Sequence, residues 1–98
     1  MAKIRYADEV IGDYDRILDH LLRHDVADGL ERIACIRACI AVLASNPLIG
    51  RRLPSGLREL VIGRGARSYL ALYRYSDALD LVTVVAIRSQ KESGYHPT

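Results

Sequence analysis

The sequence contains no Phe and no Trp, and its only aromatic residues are 6 Tyr. A core without large hydrocarbon rings is packed from aliphatic side chains. Each aromatic brings a hydroxyl, which suits half-buried or contact positions better than a deep interior. Only 2 Cys are present, too few for a disulfide framework, so a reducing cytoplasm is the expectation. No apolar run approaches the ~20 residues of a membrane span. Met1-Ala-Lys-Ile-Arg5 leads straight into charged sequence and lacks the apolar stretch of a signal peptide. Repeats, low-complexity tracts and linkers are absent too. What remains is 98 residues, 50% hydrophobic and 27% charged, an ordinary globular balance that reads as one domain over residues 1–98.

Net charge is only +2, but it is unevenly spread. Residues 1–49 hold 6 Lys/Arg against 8 Asp/Glu, whereas residues 50–98 hold 8 against 4. An acidic first half and a basic second half direct any anionic partner to the second.

Lys3–Tyr6 alternates weakly and reads as a first strand. Val10, Tyr14, Ile17, Leu18, Leu21 and Leu22 recur at helical spacing over Asp8–Arg23, with Glu9, Asp13, Asp15 and Asp19 on the other side. Asp25 is an N-cap candidate for a second helix over about Val26–Ser45. Val26, Leu30, Ile33, Ile40 and Ala44 line one of its faces, and Asn46-Pro47 ends it. The short connection between the helices predicts antiparallel packing. After a loop over Leu48–Gly56 the period changes to 2. Leu57–Ile62, Arg67–Tyr75 and Leu79–Arg88 read as strands, the last β-branched and central, covered on both faces. The expected fold is α+β in the order β-α-α-β-β-β, an antiparallel sheet with an antiparallel helix pair packed on one face. Arg67, Tyr69, Tyr73 and Tyr75 then share one side of their strand on a partly open face.

Most candidate chemistry falls to simpler explanations. Gly63-Arg64-Gly65 is followed by no helix, so it reads as a turn and not as a phosphate loop. Cys35 and Cys39, with His20 and His24, have the i,i+4 spacings of a four-ligand zinc set. Antiparallel helices would place Cys35 level with about Asp15, roughly 7–8 Å along the axis from His20, so no metal is expected. No Ser/His/Asp triad and no carboxylate pair is arguable, and no cofactor or small-molecule substrate is expected. The arginines carry the signal: Arg51, Arg52, Arg58, Arg67, Arg74 and Arg88, interleaved with Tyr73 and Tyr75 and followed by Lys91 and Tyr95. Together these ten residues form the candidate target-binding surface, since Arg grips phosphate or carboxylate with a fork of donors and Tyr stacks or closes a groove. As a strand-end cation, Arg88 is expected to tolerate Arg88→Ala without loss of the fold.

Four ordered segments, Asn46-Pro-Leu-Ile-Gly-Arg51, Leu57-Arg-Glu-Leu60, Tyr69-Leu-Ala-Leu-Tyr-Arg-Tyr75 and Ala86-Ile-Arg-Ser-Gln-Lys-Glu-Ser-Gly-Tyr95, resemble the RelE/ParE family of toxins from bacterial type II toxin–antitoxin modules. The resemblance spans essentially the whole chain. It implies a complex with a cognate antitoxin, a role in plasmid stabilisation, bacterial cytoplasm, and growth arrest when the toxin is free. It also implies one of two mechanisms. The ribonuclease branch cuts messenger RNA on the ribosome. In that reading Arg58, Arg67, Arg88, Tyr95 and His96 would form the catalytic set, moving protons and neutralising the transition state. Many relatives have His where this chain has Ser89, and that change removes the group best suited to proton transfer near neutral pH. The lysine-rich strand of that branch is absent as well. The other branch inhibits DNA gyrase by binding, without an active site of its own. The Leu-Arg-Glu-Leu strand and the tail through Gly94-Tyr95 resemble it better, so a gyrase-binding inhibitor is the expectation and the endoribonuclease the alternative.

Overall fold

The computed structural model describes residues 1–23, 29–63 and 68–89. Its elements are β1 (Lys3–Tyr6), α1 (Asp8–Arg23), α2 (Gly29–Ala41) with a 3-10 turn at Val42–Ala44, β2 (Arg51–Arg52), β3 (Arg58–Ile62), β4 (Tyr69–Ser76) and β5 (Leu81–Ser89). The α+β architecture is as expected, with one strand more, because β2 forms within the segment read as a loop.

Helix α1 carries acids in its first turn (Asp8, Glu9) and bases in its last (His20, Arg23), which matches the helix dipole at both ends. Val10, Ile17 and Leu21 form its buried stripe. Asp13 lies in that same stripe and is buried, contrary to its expected place among the outer acids.

The described part of α2 begins at Gly29, and the expected Asp25 cap lies outside the described residues. The inner face of α2 is Ile36, Ile40 and, in the 3-10 turn, Leu43. Leu30, expected on that face, is 71% exposed. The reason lies at Gly29, where an added Cβ would sit 3.4 Å from the Leu21 Cβ. Packing the bare glycine face on α1 sets the helix rotation, and the next residue turns about 100° away into solvent. Leu21 meets Gly29, and Val10 to Leu18 share a groove with Ile33 and Arg37, so the two helices run antiparallel.

The five strands form one sheet in the order β1-β5-β4-β3-β2. β1 pairs with β5 in parallel and the other pairs are antiparallel, so the sheet is mixed at one edge. β5 is an interior strand, between β1 and β4, and β4 takes the middle position. The two faces of β5 differ, however: Val82 and Val84 are fully buried while Thr83 and Val85 are half-buried. Between Leu72↔Ala86 and Tyr73↔Val84 the register shifts, which leaves Val85 as a bulge. A bulge inverts the sidedness of the residues beyond it. Val82 and Val84 face the helices, then Ile87 does, while Ala86 lies on the opposite face. Arg88 leaves the strand with Ala86's parity, but its guanidinium ends at Asp13 of α1. Simple alternation would have placed Arg88 with Val82 and Val84.

The β4–β5 turn contains Asp80 at φ 47, a left-handed conformation that Asp tolerates better than most residues. Its carboxylate accepts the Tyr75 hydroxyl at 2.7 Å and its carbonyl accepts the Lys3 amide at 3.0 Å, which ties the turn to β1.

Candidate functional site

Residues paired across adjacent strands share a face, so the register assigns each side chain to the helices or to the opposite side. Tyr69, Tyr73 and Tyr75 pair with Ile62, Arg58 and Val82 respectively and belong to the helix side, where Tyr69 and Tyr73 are in the core. This corrects the placement of the tyrosines on an open face. Tyr73 is 0% exposed. Its hydroxyl accepts the Gly50 amide and donates to the Pro47 carbonyl, both at 2.8 Å. A side chain so engaged cannot contact a macromolecular target. Tyr75 is half-buried. Its bond to the Asp80 carboxylate holds the phenol's pKa above the ordinary value.

The opposite face carries Arg5, Thr83 and Arg74 in neighbouring positions across β1, β5 and β4. Arg5, Arg74 and Glu9 line a shallow polar cleft there with Thr83 and Val85. Toward the far edge, Glu59 pairs with Leu72 and Arg51 pairs with Glu59. Arg51 Nη2 bonds the buried Glu59 carboxylate at 3.0 Å. Leu70 and Ala86 on this face are buried, so its middle is covered and its open parts lie toward the two edges. Arg5 was missed because it sits in the acidic half of the chain. The alternation Lys3-x-Arg5 was the available signal.

The remaining arginines split by role. Arg52 is exposed. Arg58 is half-buried on the helix side, and its Nη1 donates to the Leu48 carbonyl at 3.2 Å and the Gly50 carbonyl at 2.9 Å. Arg88 Nη1 lies 2.6 Å from Asp13 Oδ1. Asp13 Oδ1 also accepts Arg16 Nη1 at 3.1 Å, and Oδ2 accepts the Ile87 amide at 2.9 Å. β1 ends before this part of β5, so the Ile87 amide would face an open sheet edge. A carboxylate from α1 satisfies it instead, as a buried donor requires. Arg67, Lys91, Tyr95 and His96 lie outside the described residues.

Between the helices runs an apolar groove of about 460 Å³, lined by Tyr6, Val10, Ile11, Tyr14, Leu18 and Ile33 with Asp15 and Arg37 at its rim. The Tyr14 hydroxyl is buried there without a hydrogen-bond partner. Burial first, and the adjacent Tyr6 phenol second, raise its pKa well above the ordinary tyrosine value. Cys35 is exposed and Cys39 half-buried, both as free thiols. His24 of the considered zinc quartet lies outside the described residues. No group of three or more His, Cys, Asp or Glu placed to hold a metal occurs among the described residues. No described helix is long and apolar enough to cross a membrane.

Residues 4–94 match the family model of the ParE toxin of the type II toxin–antitoxin system, parDE. The chain belongs to the ParE toxin family. Its fold is similar to that in the chromosomal ParDE toxin–antitoxin system from P. aeruginosa, with a TM-score of 0.72 and 21% identity over 91% of this chain and 96% of that one. It is also similar to a chain of the RelBE2 toxin–antitoxin complex from Mycobacterium tuberculosis, with a TM-score of 0.58 and 19% identity over 91% of this chain and 98% of that one. No curated protein sequence matches. The ParE-family fold thus accounts for the helix pair, the mixed sheet and the strand order described above.

Proposed function

We propose that this ParE-family toxin arrests growth in the bacterial cytoplasm by binding DNA gyrase, as an inhibitor without an active site of its own. One observation carries this reading. Two of the arginines that RNA cleavage would need, Arg58 and Arg88, are engaged in the fold, Arg58 by loop carbonyls and Arg88 by buried Asp13. The Asp13 carboxylate offsets the charge of Arg88, and the loop carbonyls hold the Arg58 guanidinium against its own chain. The described tyrosines support the same reading, because all five pack on the helix side of the sheet or between the helices and so offer no platform for stacked bases. Exposed Arg52 and Arg74 remain as contacts for an acidic protein surface, while Arg51 is paired with buried Glu59.

Its partner in neutralisation is a cognate antitoxin. The apolar groove between α1 and α2 fits an amphipathic helix, and β3 fits an added strand where it extends past its two paired positions with β2. Retention of the module with its plasmid or chromosome follows from that pairing.

The deciding experiment adds purified chain to a gyrase supercoiling reaction and, separately, to a translating extract with a labelled messenger RNA. Inhibited supercoiling with intact messenger is expected. Messenger cleavage with unimpaired gyrase would install the ribonuclease reading instead.

A further inference from the structure

The loop over residues 46–50 is held by the core at several backbone points. Tyr73 binds the Gly50 amide and the Pro47 carbonyl, Arg58 binds the carbonyls of Leu48 and Gly50, and the Ile49 amide donates to the Asn46 carbonyl at 3.2 Å. Gly50 is required there, since a Cβ would come within 2.6 Å of the Tyr73 ring and hydroxyl. A fully buried tyrosine and an arginine thus fix a surface loop. At its tip Leu48 and Ile49 are each 58% exposed. Apolar side chains carried on a fixed backbone spare the entropy of ordering the loop on binding, which is the character of an interface anchor.

A cation stands beside this tip. Arg52 lies directly across from Arg58 in the β2–β3 pair, and like charges in that relation repel. Arg58 has carbonyl acceptors, whereas no acid pairs with Arg52 among the described residues. A carboxylate from outside the chain would relieve the repulsion. Two aliphatic side chains gain nothing from a phosphate backbone, so the combination selects a protein over a nucleic acid. None of these three residues lines the α1–α2 groove.

We infer that Leu48, Ile49 and Arg52 form a preorganised docking tip for the toxin's target protein, inserting into an apolar pocket bordered by a carboxylate. The inference rests on the binding-inhibitor reading in expecting a protein target, and it adds the contact surface.

The test uses the full chain as Leu48→Ser/Ile49→Ser and, separately, as Arg52→Glu, with Arg52→Lys as the conservative control. Each is induced without antitoxin and scored for growth arrest. Each is also titrated with the antitoxin of the same module and melted thermally. The double variant and Arg52→Glu should lose about tenfold or more in growth-arresting potency, the loss expected of an interface anchor. Antitoxin affinity and melting temperature should stay at the wild-type level, and Arg52→Lys should retain most of the potency. Undiminished growth arrest in both variants overturns the inference. So does a fall in antitoxin affinity with toxicity kept, which would assign the tip to the antitoxin. If the wild-type chain arrests growth yet leaves gyrase active, the gyrase reading fails, while the tip is still judged by the variants. A wild-type chain that arrests nothing overturns both.

Discussion

The guanidinium of Arg88, at the end of the last strand, lies 2.6 Å from the carboxylate of Asp13 in the first helix. Arg88 keeps 37% of its side-chain surface exposed while Asp13 keeps 6%. The arginine therefore supports a buried charge from the surface. Asp13→Ala should destabilise the fold by about 3–5 kcal/mol, because it strands the Ile87 amide and takes the carboxylate from two guanidiniums, which keep the Ile87 carbonyl. Arg88→Ala should cost less, about 1.5–3 kcal/mol, since Asp13 keeps Arg16 and the Ile87 amide. Urea unfolding of the two variants checks the ranking. Equal stability of Arg88→Ala and wild type would restore the view of Arg88 as a dispensable surface cation.

The loop of residues 46–50 gives a second pair of outcomes. Tyr73→Phe removes an oxygen that serves two backbone groups and should cost about 1–3 kcal/mol. Gly50→Ala forces a methyl against the Tyr73 ring and should cost about 1–3 kcal/mol by overpacking. The two residues touch, so the double variant should lose less than the sum of the single losses. Additive losses in denaturant unfolding would show that the loop and the tyrosine act independently.

Tyr14 links the groove to pH. Burial raises its pKa, so the folded chain keeps a proton that the unfolded chain releases above pH 10. That contribution is complete below pH 10 and drains away as pH rises further. Tyr14→Phe should flatten the fall in stability above about pH 10. At neutral pH it should be neutral or slightly stabilising, because a buried hydroxyl without a partner is removed. A clear loss at about pH 7 would mean that the hydroxyl has an acceptor in solution.

Much of the fold was legible from periodicity. The helical stripe of α1, the turn to period 2 after Gly56 and the β-branched interior strand all follow from residue order alone. The helix rotation at Leu30 was not, because it depends on one glycine meeting Leu21 across the hairpin. The sidedness of Arg88 was not, because an inserted Val85 leaves no mark in composition. Asp13 was half legible: its three- and four-residue spacing from Val10 and Ile17 placed it in the apolar stripe, but charge argued for solvent. The tyrosines were misplaced for a related reason. A hydroxyl satisfied by backbone, as at Tyr73, lets a tyrosine fill the place of the missing phenylalanine.

The strand order has a consequence for how the chain comes off the ribosome. β5 lies between β1 and β4, so neither the parallel edge nor the central hairpin can form until residues 81–89 have emerged. The Asp13–Ile87 bond spans 74 positions of sequence, and contacts of such separation form late. A nascent chain therefore carries no completed sheet before residues 81–89 have emerged. The five-stranded sheet is complete only after β5 has paired with both of its neighbours.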